Sequence, residues 1–125
     1  MSIRDDRLSA EYQSMKKFRS EVVSWRNLVD KWPVDHYQLS FKLKSIIGFD
    51  EASRPRFHSG FTVEVKFPLD YPKGKPNVYL TDKPWPIHPN IWKDGRICLE
   101  GTQHWIPGIG VSLDALCLMI GEIIA

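Results

Sequence analysis

Tyr37-Gln38-Leu39-Ser40-Phe41-Lys42-Leu43-Lys44 is the stretch on which the fold turns, because apolar and polar residues alternate there with a strict period of two. That period puts Tyr37, Leu39, Phe41 and Leu43 on one face of a strand and the polar residues on the other. The same period returns downstream. Phe57, Ser59, Phe61, Val63, Val65 and Phe67 alternate with His58, Gly60, Thr62, Glu64 and Lys66, which predicts a second strand antiparallel to the first across a turn at Asp50 to Pro55. Pro68 closes that pairing, and the turn-forming run Tyr71-Pro72-Lys73-Gly74-Lys75-Pro76 leads into a short third strand at Asn77 to Thr81. Upstream the spacing is helical. Leu8, Tyr12, Met15, Phe18, Val22, Trp25, Leu28, Val29 and Trp32 recur every three or four positions, so the pattern predicts one helix over Leu8 to Trp32, ended by Pro33. A helix followed by an antiparallel meander is an α+β layout.

At 125 residues the chain fits one domain, 1–125, with enough apolar material for a core. Lys and Arg number 17 against 15 Asp and Glu, and the cations are spread out rather than striped, which argues against a nucleic-acid partner. The N-terminus lacks an apolar signal region and no run is long enough to cross a bilayer, so no membrane partner is expected. Two cysteines do not make a disulfide framework, and a reducing, cytoplasmic compartment is the simpler inference.

Asp82 to Gly110 has no sustained period and is rich in Pro and Gly, yet it carries Trp85, Trp92 and Trp105. Three tryptophans argue for an ordered, working loop rather than disorder. Ser112 can cap a closing helix over Leu113 to Ala125, whose apolar residues cover most of its circumference and demand burial. Within the long loop, His88-Pro89-Asn90 precedes Cys98, and Trp105-Ile106-Pro107 follows it. Thiol acyl chemistry needs a reachable sulfur and an amide that can bond the oxyanion of a tetrahedral intermediate; Cys98 and Asn90 can supply the two halves.

Four ordered segments carry a resemblance. Phe67-Pro68-Leu69-Asp70-Tyr71-Pro72-Lys73-Gly74-Lys75-Pro76-Asn77-Val78, then His88-Pro89-Asn90, then Asp94-Gly95-Arg96-Ile97-Cys98-Leu99, then Trp105-Ile106-Pro107, resemble the ubiquitin-conjugating enzymes in order and spacing. The resemblance covers roughly residues 36 to 124. It implies that family's fold: a long N-terminal helix, an antiparallel meander of three to four strands, a long active-site loop and a C-terminal helix, here without the usual last two helices. It also implies an activity. A ubiquitin-like modifier would be received from an activating enzyme as a thioester on Cys98 and passed to an amine, usually a target lysine, with no cofactor and no metal.

Through the same resemblance each site residue acquires an expected role. Asn90 stands where the family keeps an asparagine that serves as a one-donor oxyanion hole or as a brace for the loop. His88 reads as structural, its ring bonding loop backbone, and Pro89 holds the chain extended beside it. Trp92 matches an aromatic that lines the approach of the incoming lysine. Asp94 or Glu100 is a candidate for positioning or deprotonating the amine. Lys16 and Lys17, with Arg19, resemble a basic patch that docks an activating enzyme, although a solvated helix face reads identically. Trp105 reads either as core or, with Ile106 and Pro107, as part of a surface that meets ligases or the activating enzyme.

Lys73 departs from the family, which keeps a bulky apolar ligase anchor after Tyr-Pro; an ordinary ligase is therefore doubtful and direct transfer is favoured. The predicted first helix runs almost into Tyr37 and leaves little room for the family's first strand. Such a compact form resembles the short bacterial members found beside ubiquitin-like conjugation genes, some linked to antiphage defence. Three other classes are open to these residues. A non-catalytic binding module of the same shape would lack the cysteine. A cysteine hydrolase using His88 or His104 needs a third orienting residue that does not announce itself. A zinc site from His88, Cys98, His104 and Cys117 fits no common ligand spacing, and Cys117, between Leu116 and Leu118, reads as core.

Overall fold

The computed structural model describes residues 2–98 and 112–125. Helix α1 spans Ile3–Lys17, capped by the Ser2 hydroxyl, which accepts the Asp5 amide at 3.0 Å. Asp5 and Asp6 in its first turn and Lys16 and Lys17 in its last complement the helix dipole. The expected helix over Leu8 to Trp32 is corrected here: Phe18 is already extended, and the Ser20 hydroxyl accepts the amides of both Val22 and Val23 at 3.0 Å, turning the chain. Val23–Asn27 is then strand β1, paired antiparallel with Val23 opposite Phe41 and Trp25 opposite Leu39. The helical spacing of Val22, Trp25, Leu28 and Val29 concealed a second pattern. Val23 and Trp25 also alternate with Ser24 and Arg26, and β-branched and aromatic residues favour the pleated surface once a sheet edge is available to pair with. The family's first strand therefore has its place.

Strands β2 (His36–Phe49), β3 (Pro55–Lys66) and β4 (Asn77–Leu80) complete an antiparallel sheet in the order β1-β2-β3-β4. Tyr37, Leu39, Phe41, Phe61, Val63, Val65, Val78 and Leu80 are buried on its inner face, as the alternation requires. A register shift between Phe41 and Lys44 is accommodated opposite Gly60, whose φ of 91° suits glycine. Asp50 ties the hairpin turn by accepting the amides of Ala52 and Arg54, each at 2.9 Å.

Helix α2 (Leu113–Ile124) packs on β2 and α1, burying Leu113, Leu116, Cys117, Met119, Ile120, Ile123 and Ile124. Each such side chain contributes about 1.5–3 kcal/mol on burial. Leu118 is exposed. The hydroxyl of Ser112 makes no capping bond, contrary to expectation. The buried carboxylate of Glu11, on α1, accepts the Leu113 amide instead and so caps α2 from a distance of 102 residues along the chain. Burial raises the Glu11 pKa, while the Leu113 amide and Arg7 oppose the rise. The sign follows from linkage: a carboxyl whose folded pKa is raised adds stability that is full below the usual carboxylate range and is lost as pH rises through the raised value. Glu11→Gln keeps an acceptor for Leu113 but cannot ionise. Urea midpoints measured from pH 4 to pH 8 should fall less steeply with rising pH for Glu11→Gln than for wild type; parallel curves would show that Glu11 is not responsible.

Candidate active site

Residues after β4 fold back along its free edge. Tyr79 bridges Arg96, the Leu80 amide donates to Gly95 O at 2.8 Å, and the Ile97 amide donates to Val78 O at 2.8 Å. Gly95 is required at that approach: its φ is 91°, and a Cβ there would stand 2.9 Å from Leu80 O and 3.0 Å from the Trp85 ring. Asp94 ties the turn. Its carboxylate accepts the Arg96 amide at 3.1 Å and Arg96 Nε at 2.8 Å, and these bonds, the amide first, hold the Asp94 carboxyl below its usual range. The Arg96 guanidinium also lies over the Trp92 ring, 4.2 Å from its centroid.

Cys98 is then pinned from two sides by Asn90. The Cys98 amide donates to Asn90 O at 2.7 Å, and Asn90 Nδ2 donates to Cys98 O at 2.9 Å. Asn90 is held in turn, because its own amide donates to His88 Nδ1 at 3.0 Å while Ile91 bridges Ile97. An Nδ1 that accepts a backbone N–H carries no proton, so the His88 ring is committed to the loop. Ile97 is buried, and in an extended segment Arg96 and Cys98 therefore share the opposite face. That face opens on a groove of about 300 Å³ lined by Lys75, Pro76, Asn77, Val78, Tyr79, Trp92, Arg96, Ile97 and Cys98, with the thiol half-buried.

The structure thus brings together Cys98, Asn90, His88, Trp92 and Asp94, with Pro89 exposed at the loop's bend. It keeps others apart. Lys16 and Lys17 are exposed at the end of α1, and Lys73 is exposed in the turn before β4; none of the three lines the groove. Glu100, Trp105 and Pro107, together with His104, lie outside the described residues. Cys117 is fully buried, and burial pushes its thiol up to about 12. Among the described residues no three His, Cys, Asp or Glu side chains converge as metal ligands, and no helix is long and apolar enough to cross a membrane. Sequence reasoning gave no role to Tyr79, Lys75 or Arg96. Arg96-Ile97-Cys98 carried the signal, a period-two pattern that sets a cation beside the thiol.

A family model for ubiquitin-conjugating enzymes matches residues 7–124. The chain belongs to the ubiquitin-conjugating enzyme family. Similar proteins include a ubiquitin-conjugating enzyme E2 of African swine fever virus (isolate Pig/Kenya/KEN-50/1950), 30% identical over 84 residues that cover 63% of this chain and 37% of the viral protein. A probable ubiquitin-conjugating enzyme E2 W-A of Danio rerio is 36% identical over 61 residues, 48% of this chain and 39% of that protein. The chain spans about two fifths of the length of the curated relatives it matches. Among solved structures, the ubiquitin-conjugating enzyme E2 UbcA1 of Agrocybe aegerita superposes with a TM-score of 0.69 at 19% identity, over 100% of this chain and 84% of the other. Human ubiquitin-conjugating enzyme E2 G1 gives 0.66 at 19% identity, over 94% and 90%. The family's fold is therefore this chain's fold.

A side chain at Gly95 would push the Asp94–Cys98 segment off β4. Gly95→Ala is expected to lower unfolding free energy by at least about 1–2 kcal/mol, from positive-φ strain and overpacking together. Chemical denaturation measures this directly; an unchanged midpoint would mean that the approach of this turn to Leu80 is not needed.

Proposed function

We propose that Cys98 accepts a ubiquitin-like modifier from an activating enzyme as a thioester and delivers it to a lysine of a target protein, with residues 1–125 acting as one catalytic unit. The observation that carries this reading is a half-buried cysteine that lines a groove, on a backbone that Asn90 fixes from both sides. A thioester keeps acyl reactivity towards amines while its sulfur remains a good leaving group, which suits a carrier that must both hold and release. A free thiol and its thioester persist in a reducing compartment such as the cytoplasm.

In the ground state the Asn90 amide is spent on Cys98 O, so its role is that of a brace that sets where the sulfur and the developing oxyanion stand. Asp94, bound to Arg96 and with its pKa depressed, is a poor proton acceptor and acts as a positioning residue for the turn. The amine's proton then leaves to solvent or to a group outside the described residues, Glu100 being the candidate of that type. Trp92, beside the thiol, excludes water from one wall of the groove. Lys16 and Lys17 supply the cationic end of α1 for an activating enzyme, and Trp105 with Pro107 is the proposed second partner surface. Lys73 replaces an apolar anchor with a charge, which favours transfer without an ordinary ligase.

Incubation with ATP, an activating enzyme and its modifier should give a thiol-sensitive adduct that Cys98→Ala abolishes and Cys117→Ala preserves. An adduct that survives Cys98→Ala overturns the reading. For Asn90→Ala, loss of a part-buried hydrogen bond should cost about 1 kcal/mol of stability, and single-turnover discharge to lysine should slow at least about tenfold, more than loading does. Unaltered discharge would remove Asn90 from the mechanism.

A further inference from the structure

Arg96 stands out because the proposed transfer assigns it no chemistry, although it shares the face of Cys98 and lines the same groove. Its guanidinium is fixed on two sides. The plane rests on Trp92 and the Nε edge faces Asp94, while the terminal nitrogens hold no hydrogen bond among the described residues. A guanidinium fixed in this way has lost little freedom still to be lost on binding, and its remaining edge matches a carboxylate. One face of Trp92 already carries that cation, so an incoming lysine ammonium that approaches on this side meets a positive charge. Lys93 is exposed on the same turn, and the one carboxylate of that turn, Asp94, is already bonded to Arg96.

On these grounds, and resting on the transfer reading above, we propose that Arg96 is a specificity-determining residue that selects acceptor lysines flanked by an acidic residue. The flanking carboxylate engages the open edge of the guanidinium, cancels the repulsion felt by the lysine, and places the amine over the thioester. In the transfer itself the amine lone pair attacks the thioester carbonyl, a C–N bond forms, the C–S bond breaks, Cys98 leaves as thiolate, and the amine's proton passes to solvent.

The test charges Cys98 with ubiquitin by exchange from a ubiquitin thioester of a small thiol, then compares discharge to two short peptides, one with lysine flanked by glutamates and one with lysine flanked by glutamines. Wild type should discharge roughly threefold to tenfold faster to the glutamate peptide, in line with a partly exposed charge-assisted contact. The ratio should shrink at about 0.5 M salt. Arg96→Gln should bring it to one, and Arg96→Lys, which keeps the charge but not the guanidinium edge, should keep only part of it, a partial rescue that loss of the turn alone would not give. Equal wild-type rates, or a preference that survives Arg96→Gln, overturns the proposal. A second readout needs no thioester: the glutamate peptide, and not the glutamine peptide, should shift the Arg96 Nε–H resonance of the uncharged protein. Failure to charge Cys98 with that shift present would overturn the transfer reading while the selectivity of the groove stands; absence of the shift overturns the selectivity itself.

Discussion

The reciprocal pair of bonds between Asn90 and Cys98 is the constraint on which the site depends. A cysteine in a loop free to move would present its sulfur over many positions, and displacements of about 1 Å can already cost two orders of magnitude in rate. Here the loop borrows its order from the sheet. β4 is hydrogen-bonded to β3 through a register running from Lys66 opposite Asn77 to Val63 opposite Leu80, and residues 95–97 continue that pattern on the far side of β4. Cys98 is thus the last residue of a chain of antiparallel contacts rooted in the core. Asn90 closes the chain at the point where backbone pairing ends, with His88 fixing Asn90.

A second constraint joins the two helices. Glu11, buried under α1, terminates α2 by accepting the Leu113 amide, so the two helices share a polar contact inside an otherwise apolar layer. Burying a carboxylate is costly unless it is bonded, and the orphan N–H groups of a helix start are among the few partners that offset the cost. The placement of α1 is fixed further by Arg4, whose side chain donates to Pro68 O at 2.9 Å and pairs with Asp35 at 3.3 Å, joining the helix to the segment that leads into β4. The helices and the groove are therefore linked through the turn at Pro68 to Pro76 rather than through the sheet alone.

Much of this was legible in the sequence, and the reasons differ by element. The strands of the meander were readable because each has one buried face, and a period of two has no competing explanation in Leu39 to Leu43 or Phe61 to Phe67. The segment from Phe18 to Trp32 was misread because its apolar residues satisfy a helical and a pleated spacing at once, and only the sheet edge of β2 decides between them. The cap on α2 was unreadable for another reason: Ser112 is the local answer, whereas Glu11 is a tertiary one that no window of sequence contains. At the candidate site, motif spacing singles out Cys98, Asn90 and His88, and the structure joins the three by hydrogen bonds. The motif around Arg96 assigns it no function, because what Arg96 stacks on and pairs with is set by the folded turn.

The local charge pattern follows from the way the turn before Cys98 is built. A tight turn next to a nucleophile needs something to hold its backbone, and Asp94 does so with the Arg96 amide. That carboxylate, left alone, would add an unpaired negative charge to the segment that carries Cys98. Arg96 answers that charge, since its Nε bonds the same carboxylate while its guanidinium lies over one face of Trp92. The result is a turn whose acid is consumed internally and whose cation has one edge without a hydrogen bond among the described residues. A site arranged this way does not draw on Asp94 as a base, and the charge preference proposed for Arg96 would follow from the same arrangement.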